Sequence, residues 1–178
     1  MKGFLIVVDV QKDFVDGALG TPEAQQMLPI LLEKVRRFNG TVILTQDTHT
    51  PGYLDTQVGK QLSIPHCIEG TPGWEFAGEL ETLRANCRYA VYRKPTFGSV
   101  RLAADLRSLY EQGGLASVEL VGLCTDICVI SNALLPKANI PELPIYVDAS
   151  CCAGVTPEKH RAALEVMKSC QIIVKEEV

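Results

Sequence analysis

The sequence predicts an α/β protein, a three-layer α/β/α sandwich around a six-stranded, mostly parallel, doubly wound sheet. Three observations predict it. Short runs rich in β-branched residues alternate with helical patterns along the 178 residues. Four of these runs are almost continuously apolar, as strands covered on both faces are. Polar residues gather at the C-terminal ends of the runs, the edge at which open parallel sheets bind ligands.

The six runs are GFLIVVD at 3–9, TVILTQD at 41–47, RYAVYRK at 88–94, SVELVGL at 117–123, LPIYVD at 143–148 and QIIVK at 171–175. Between the third and fourth, RLAADLRSLYEQGG places Leu102, Leu106, Leu109 and Tyr110 at helical spacing and stops at Gly113-Gly114. TPEKHRAALEVMKSC offers Thr156 as a cap and Pro157 in the first turn, then repeats Ala163, Leu164 and Met167 on one face. Residues 22–38 are also helical in pattern, but Pro29 either kinks that helix or starts its main part. No internal repeat, linker or low-complexity stretch divides the chain, and residues 1–178 are expected to form one domain.

Composition narrows the function classes. With 47% apolar and 21% charged residues the chain can bury one substantial core. A net charge of −4, with lysines and arginines scattered, gives no electrostatic reason to expect nucleic acid or an anionic membrane surface as a partner. A small molecule is the expected substrate. FLIVV is interrupted by Asp9 and lacks a cleavage site, so it reads as a strand and not as a signal peptide. Seven cysteines, an odd number, suit reduced thiols in a cytoplasm better than a disulfide framework, and cytoplasmic location is expected.

Asp9 ends the first run, Asp47 and His49 follow the second, Lys94 ends the third, and Cys124 to Cys128 follow the fourth. In a parallel sheet one site could hold them all. CTDICVISNALL reads as a tight turn into a helix, with Thr125 or Asp126 near the cap and Cys128 in the first turn. A thiol there meets the positive helix end, expected to lower its pKa, and backbone amides able to receive an oxyanion. The competing reading is a small buried core residue. Asp9, preceded by four apolar residues, needs a counter-charge, and Lys94 is the candidate. The pair is either a salt bridge at the sheet edge or, with Cys128 in reach, the means of taking and holding the thiol proton.

VVDVQKDFVDGAL, RKPTFGS and VGLCTDICV, in that order, resemble the isochorismatase-like cysteine hydrolases, and TQDTH with PHCIEGTPGWE resembles their nicotinamidase branch. The resemblance runs over nearly the whole chain. It implies an isochorismatase-like hydrolase fold and the roles of nucleophile for Cys128, general acid and base for Asp9, and catalytic lysine for Lys94. It also implies a cis peptide between Leu123 and Cys124, with the Cys124 and Cys128 amides as the oxyanion hole. Cys124 would then contribute backbone and not sulfur. The implied activity is cleavage of a small amide's carbon–nitrogen bond through a thioester, by a homo-oligomer needing no organic cofactor.

Asp47, His49 and His66 offer one carboxylate and two imidazoles, a set suited to a divalent zinc, iron or manganese ion with open positions. The resemblance implies such a metal beside the nucleophile; the alternative is that both histidines are ordinary loop residues near the turns at Pro51-Gly52 and Pro65. No histidine lies in YLDTQVGKQLSIPH before His66 to serve as a further ligand, and Asp55 is the nearest carboxylate, with Gln57 weaker. Ser63 and Ile64 stand where nicotinamidases often carry a tryptophan, which leaves Phe14, Phe97 and Leu123 as candidate pocket residues. His160, between Lys159 and Arg161, reads as surface, and Cys151 and Cys152 as packing near the same edge. The alternatives to a nicotinamide-like substrate are a carbamoyl or ureido compound, or a non-enzymatic α/β ligand-binding or assembly protein. A dinucleotide-binding module is disfavoured by the lack of Gly-x-Gly-x-x-Gly after the first strand.

Overall fold

The computed structural model describes residues 2–175. In chain order, β1 (Lys2–Val8), α1 (Lys12–Val15) and α2 (Pro22–Arg37) lead into β2 (Thr41–Asp47). A long excursion carrying α3 (Gln57–Gln61) and α4 (Leu80–Cys87) precedes β3 (Ala90–Lys94). Strands and helices then alternate: α5 (Val100–Glu111), β4 (Leu115–Leu123), α6 (Ile130–Asn139), β5 (Ile145–Ala153), α7 (Pro157–Ser169) and β6 (Ile173–Lys175). All six expected strands are present, and every pairing between them is parallel.

The strand order is β3-β2-β1-β4-β5-β6. Winding therefore reverses between β1 and β4, and the crevice beyond their C-terminal ends is the switch point at which doubly wound sheets bind ligands. The alternation of side chains along a strand explains the three layers. Phe4, Ile6 and Val8 of β1 join Val118 and Leu120 of β4 under α5, α6 and α7. Leu5 and Val7 join Val121 and Leu123 under α2, whose Met27, Leu31 and Val35 form the buried stripe of an amphipathic helix. Covered on both faces, β1 from Leu5 to Val8 is completely buried, which is why its sequence is apolar at every position.

The helix ends follow their local chemistry. Thr156 Oγ1 accepts from Lys159 N at 3.3 Å at the start of α7, as expected. At α5 the cap is Ser99, whose Oγ accepts from Leu102 N at 3.2 Å. Pro29 does not start the main part of α2: it lies inside one continuous helix, on its exposed side. Gly122 has φ +117, and a Cβ there would lie 2.2 Å from Val8 O, so only glycine lets β4 approach β1 at the switch point. β5 is longer than expected and absorbs both adjacent cysteines, Cys152 facing the α5–α7 core and Cys151 the α2 core. No helix among the described residues is long and apolar enough to cross a membrane.

Candidate active site

At the switch point three strands deliver three ionisable groups to one spot. Lys94, at the end of β3, is 2% exposed, with Nζ 2.5 Å from Asp9 Oδ2, 3.6 Å from Asp47 Oδ1 and 3.7 Å from Cys128 Sγ. Asp9 follows β1 at φ +47 and is completely buried. Its Oδ1 accepts from Thr45 Oγ1 at 2.6 Å, and its own amide donates to Thr45 Oγ1 at 3.2 Å. Oδ2 carries no aligned hydrogen bond, yet the Cys128 thiol lies close enough to interact with this carboxylate.

These contacts fix the directions in which the groups titrate. Burial raises the pKa of Asp9, Lys94 pulls it back, and Asp47 pushes it up again, so the carboxyl ends above the usual range. Burial works against the Lys94 ammonium, but the negative charges of Asp9 and Asp47 outweigh it and hold Lys94 above the ordinary lysine value, Cys128 adding to them only when its thiol is ionised. Burial, with Asp9 beside it, holds the Cys128 thiol well above its ordinary value, against the pull of Lys94. This corrects the expectation of a lowered thiol pKa: burial and the neighbouring Asp9 carboxylate push it the other way. Cys128 is thus held as a neutral thiol beside the Asp9 carboxyl. Burial and Asp126 push Cys124 up to about 12, which leaves its sulfur inert.

The Leu123–Cys124 peptide is cis. Residues Thr125–Val129 form one π-helical turn rather than the first turn of an α-helix, and the Cys124 carbonyl accepts the amides of Ile127 at 3.0 Å and Val129 at 3.1 Å. The expected caps do not cap. Cys124 is the N-cap residue, while the Thr125 and Asp126 side chains reach the α7 region: Asp126 Oδ1 accepts from Val155 N at 2.9 Å, and Thr125 Oγ1 lies 2.8 Å from His160 Nδ1. His160 is accordingly half-buried and not a surface residue, because the turn packs on the face of α7 between Lys159 and Arg161.

Asp47, His49 and His66 converge as well, with potential ligand atoms within 4.8 Å of one another. His49 Nε2 is 2.9 Å and His66 Nε2 is 3.7 Å from Asp47 Oδ2. Donors bonded at zinc-like lengths stand about 2.8–3.4 Å apart, so the set fits a divalent cation with small adjustments. His66 Nδ1 donates to Ile64 O at 2.8 Å, leaving the Nε2 lone pair to face the cluster. His49 and Ile68 form a parallel bridge that joins the two ligand-bearing loops. Asp55 is not part of the cluster: it ends a short 3-10 turn with an exposed side chain. Nearness along the chain overstated its reach.

A cavity of about 540 Å³ opens onto the site, with Cys128, Cys124, Asp47, His66, Phe14 and Phe97 among its lining residues. Phe14 is buried, whereas Phe97 is 50% exposed and stands toward the mouth. Leu123 does not line the cavity. Strand alternation turns its side chain into the core beneath α2, where it is 1% exposed.

Three supporting residues escaped the sequence reading. Thr45 orients Asp9 as described. Gln11, fully buried, donates to Asp47 O at 2.9 Å and accepts from Asp47 N at 2.7 Å, pinning that backbone. Asn132 accepts from Ser99 N at 2.9 Å and donates to Phe97 O at 3.0 Å and Cys128 O at 2.8 Å, tying the Phe97 loop to the Cys128 turn. The available signal was a polar residue inside a largely apolar run for Thr45 and Asn132, while Gln11, between Val10 and Lys12, gave none.

A doubly wound sheet with a buried Asp–Lys–Cys cluster at its switch point defines an α/β enzyme class, and the family comparison agrees: residues 4–177 match the Isochorismatase domain, and the chain belongs to that family. A nicotinamidase/pyrazinamidase of Mycobacterium tuberculosis is 30% identical over 184 aligned positions, covering 94% of this chain and 95% of the relative. The solved nicotinamidase of Bacillus subtilis superposes with a TM-score of 0.81 at 28% identity, covering 99% of this chain and all of that one. A Pyrococcus horikoshii pyrazinamidase solved in complex with zinc gives 0.80 at 27% identity, with 99% and 100% coverage.

Proposed function

We propose that this chain hydrolyses the carbon–nitrogen bond of a small amide, of the nicotinamide type, through a thioester on Cys128. The observation that carries the reading is the meeting of Cys128, which lines an open cavity, with Lys94 Nζ and the Asp9 carboxylate buried behind it. The relatives named nicotinamidase or pyrazinamidase give the substrate class.

The thiol proton passes to Asp9 as sulfur attacks the carbonyl carbon, and Lys94 stabilises the negative charge shared between carboxylate and sulfur. The carbonyl oxygen becomes an oxyanion received by the Cys124 and Cys128 amides. When the carbon–nitrogen bond breaks, Asp9 returns the proton to the departing nitrogen, which leaves as ammonia. Asp9 then takes a proton from water, whose oxygen attacks the thioester; the acid departs and the thiol is restored. Asp47, His49 and His66 would hold a divalent zinc, iron or manganese ion, a Lewis-acidic point for a heteroaromatic nitrogen or a water. Phe14 and Phe97 wall the acyl group.

A second reading, an amide with a bulkier acyl group or a ureido compound, draws on the cavity volume of about 540 Å³, room for about eighteen liquid waters. On either reading residues 1–178 act as one domain, in the cytoplasm, as a homo-oligomer, on a free small molecule. Ammonia release from nicotinamide, pyrazinamide, aliphatic amides and ureido compounds, with and without chelator, tests both. Release from none of them, or undiminished release in Cys128→Ala, would refute the proposal.

A further inference from the structure

We propose that His160 is a positioning residue for the nucleophile: through Thr125 it holds the 124–128 turn where Cys128 can meet both Asp9 and the substrate. The inference rests on the thioester reading above and assigns a role to a side chain that reading leaves unused.

Thr125 is completely buried and stands between Cys124 and Cys128, the two residues whose amides are to receive the oxyanion. Its hydroxyl lies 2.8 Å from His160 Nδ1, on the first turns of α7. A second tie joins the same two pieces of chain, from Val155 N to Asp126 Oδ1 at 2.9 Å. Gly154 permits the approach: a Cβ there would stand 2.8 Å from His160 N and 2.9 Å from Asp126 Oδ1.

The turn has reason to need outside support. In the π turn the Cys124 carbonyl serves two amides at once, those of Ile127 and Val129, and no side chain caps the helix start. Its placement therefore depends on what it packs against, and Val155 just before α7 and His160 within it tie two consecutive residues of the turn, Asp126 and Thr125. A neutral imidazole with the proton on Nε2 accepts the Thr125 hydroxyl proton at Nδ1, giving that buried group its partner. Burial lowers the His160 pKa and so favours this neutral form, with Asp126 acting against it and Arg161 reinforcing it. A tie that merely stabilised the fold would change the melting temperature and leave the chemistry of Cys128 as it was.

The test compares His160→Ala, His160→Asn, Thr125→Val and the double variant His160→Ala/Thr125→Val in the full chain. Losing one such hydrogen bond is expected to lower kcat for the amide about tenfold, with KM within about twofold. His160→Asn, which keeps a side-chain acceptor, recovers most of the loss. The double variant is no worse than either single one, because both remove the same contact. Labelling of the Cys128 peptide by iodoacetamide needs no substrate and is expected to slow in His160→Ala, so this arm stands even where amide hydrolysis by the parent chain does not. Unchanged kcat and unchanged labelling in a folded His160→Ala, losses that multiply in the double variant, or a loss carried by KM alone would overturn the inference. Should His160→Ala fail to fold, Thr125→Val carries the same expectations, and a normal kcat and labelling rate there overturns it.

Discussion

Replacing Lys94 with methionine keeps an unbranched apolar stem and removes the ammonium together with its contacts to Asp9 and Cys128, so it tests what that group contributes. Lys94 Nζ stands 2.5 Å from Asp9 and 3.6 Å from Asp47, all three groups being nearly or fully buried. At an effective dielectric constant of about 20 the attractions are roughly 7 kcal/mol to Asp9 and roughly 5 kcal/mol to Asp47. The cost of burying the ammonium takes back much of this, and breaking such a buried pair costs about 3–5 kcal/mol in practice. Without that charge burial and Asp47 push the Asp9 pKa further up, with only the Thr45 hydrogen bond left to pull it down, which favours the protonated carboxyl. A protonated Asp9 cannot take the thiol proton. A transition-state loss of about 3–4 kcal/mol corresponds to a fall in kcat/KM on the order of 10²–10³-fold. The assay is ammonia release at pH 7, with circular dichroism to establish that the variant is folded. A folded Lys94→Met enzyme retaining more than about a third of the parent kcat/KM would refute the reasoning.

Other expectations follow from the same coordinates. Asp47→Ala or His66→Ala should weaken zinc binding, measured by calorimetry on chelator-stripped protein, by at least about tenfold, while Asp55→Ala should leave it unchanged. Because the Cys128 pKa is raised, its thiolate fraction stays low at neutral pH and grows only as pH passes the ordinary thiol value of about 8.5; its labelling rate should still be climbing there, and a plateau at lower pH would contradict the burial argument. Lys34 Nζ lies 2.5 Å from Glu119 Oε1 and also pairs with Asp148, so Lys34→Met should cost about 1–3 kcal/mol in urea unfolding at pH 7. Burial opposes the Asp148 charge, but hydrogen bonds from Lys34 and Ser150 win and lower its pKa. Its contribution is therefore present above the ordinary aspartate value of about 3.9 and lost as pH falls through the lower folded value, and the variant should lose less stability on acidification than the parent.

The strands were legible because burial on both faces leaves little room for polar residues: Leu5 to Val8 read as a central strand and are one. Asp9, Asp47 and Lys94 stood out for the converse reason, as charges where the apolar pattern stops, and the parallel sheet brings all three to one edge. What misled was whatever depends on direction in space. Leu123 is next to the turn in sequence, but strand alternation points it into the core. Asp55 is near the metal cluster along the chain and remains exposed. His160 looked like surface between two cations, yet a helix shows different faces at consecutive residues, and the face at 160 meets the 124–128 turn. The raised thiol pKa was hidden for a related reason, since a helix start announces itself in sequence while complete burial beside Asp9 does not.

The central claim is that Cys128 carries the acyl group during turnover, and acid-quenched mass spectrometry of the enzyme mixed with nicotinamide tests it most directly. The account predicts a mass increase of one acyl group, mapped to the peptide containing Cys128 and absent in Cys128→Ala. Ammonia released at full rate with no acyl adduct on that peptide, even under single-turnover quenching in the first milliseconds, would contradict it.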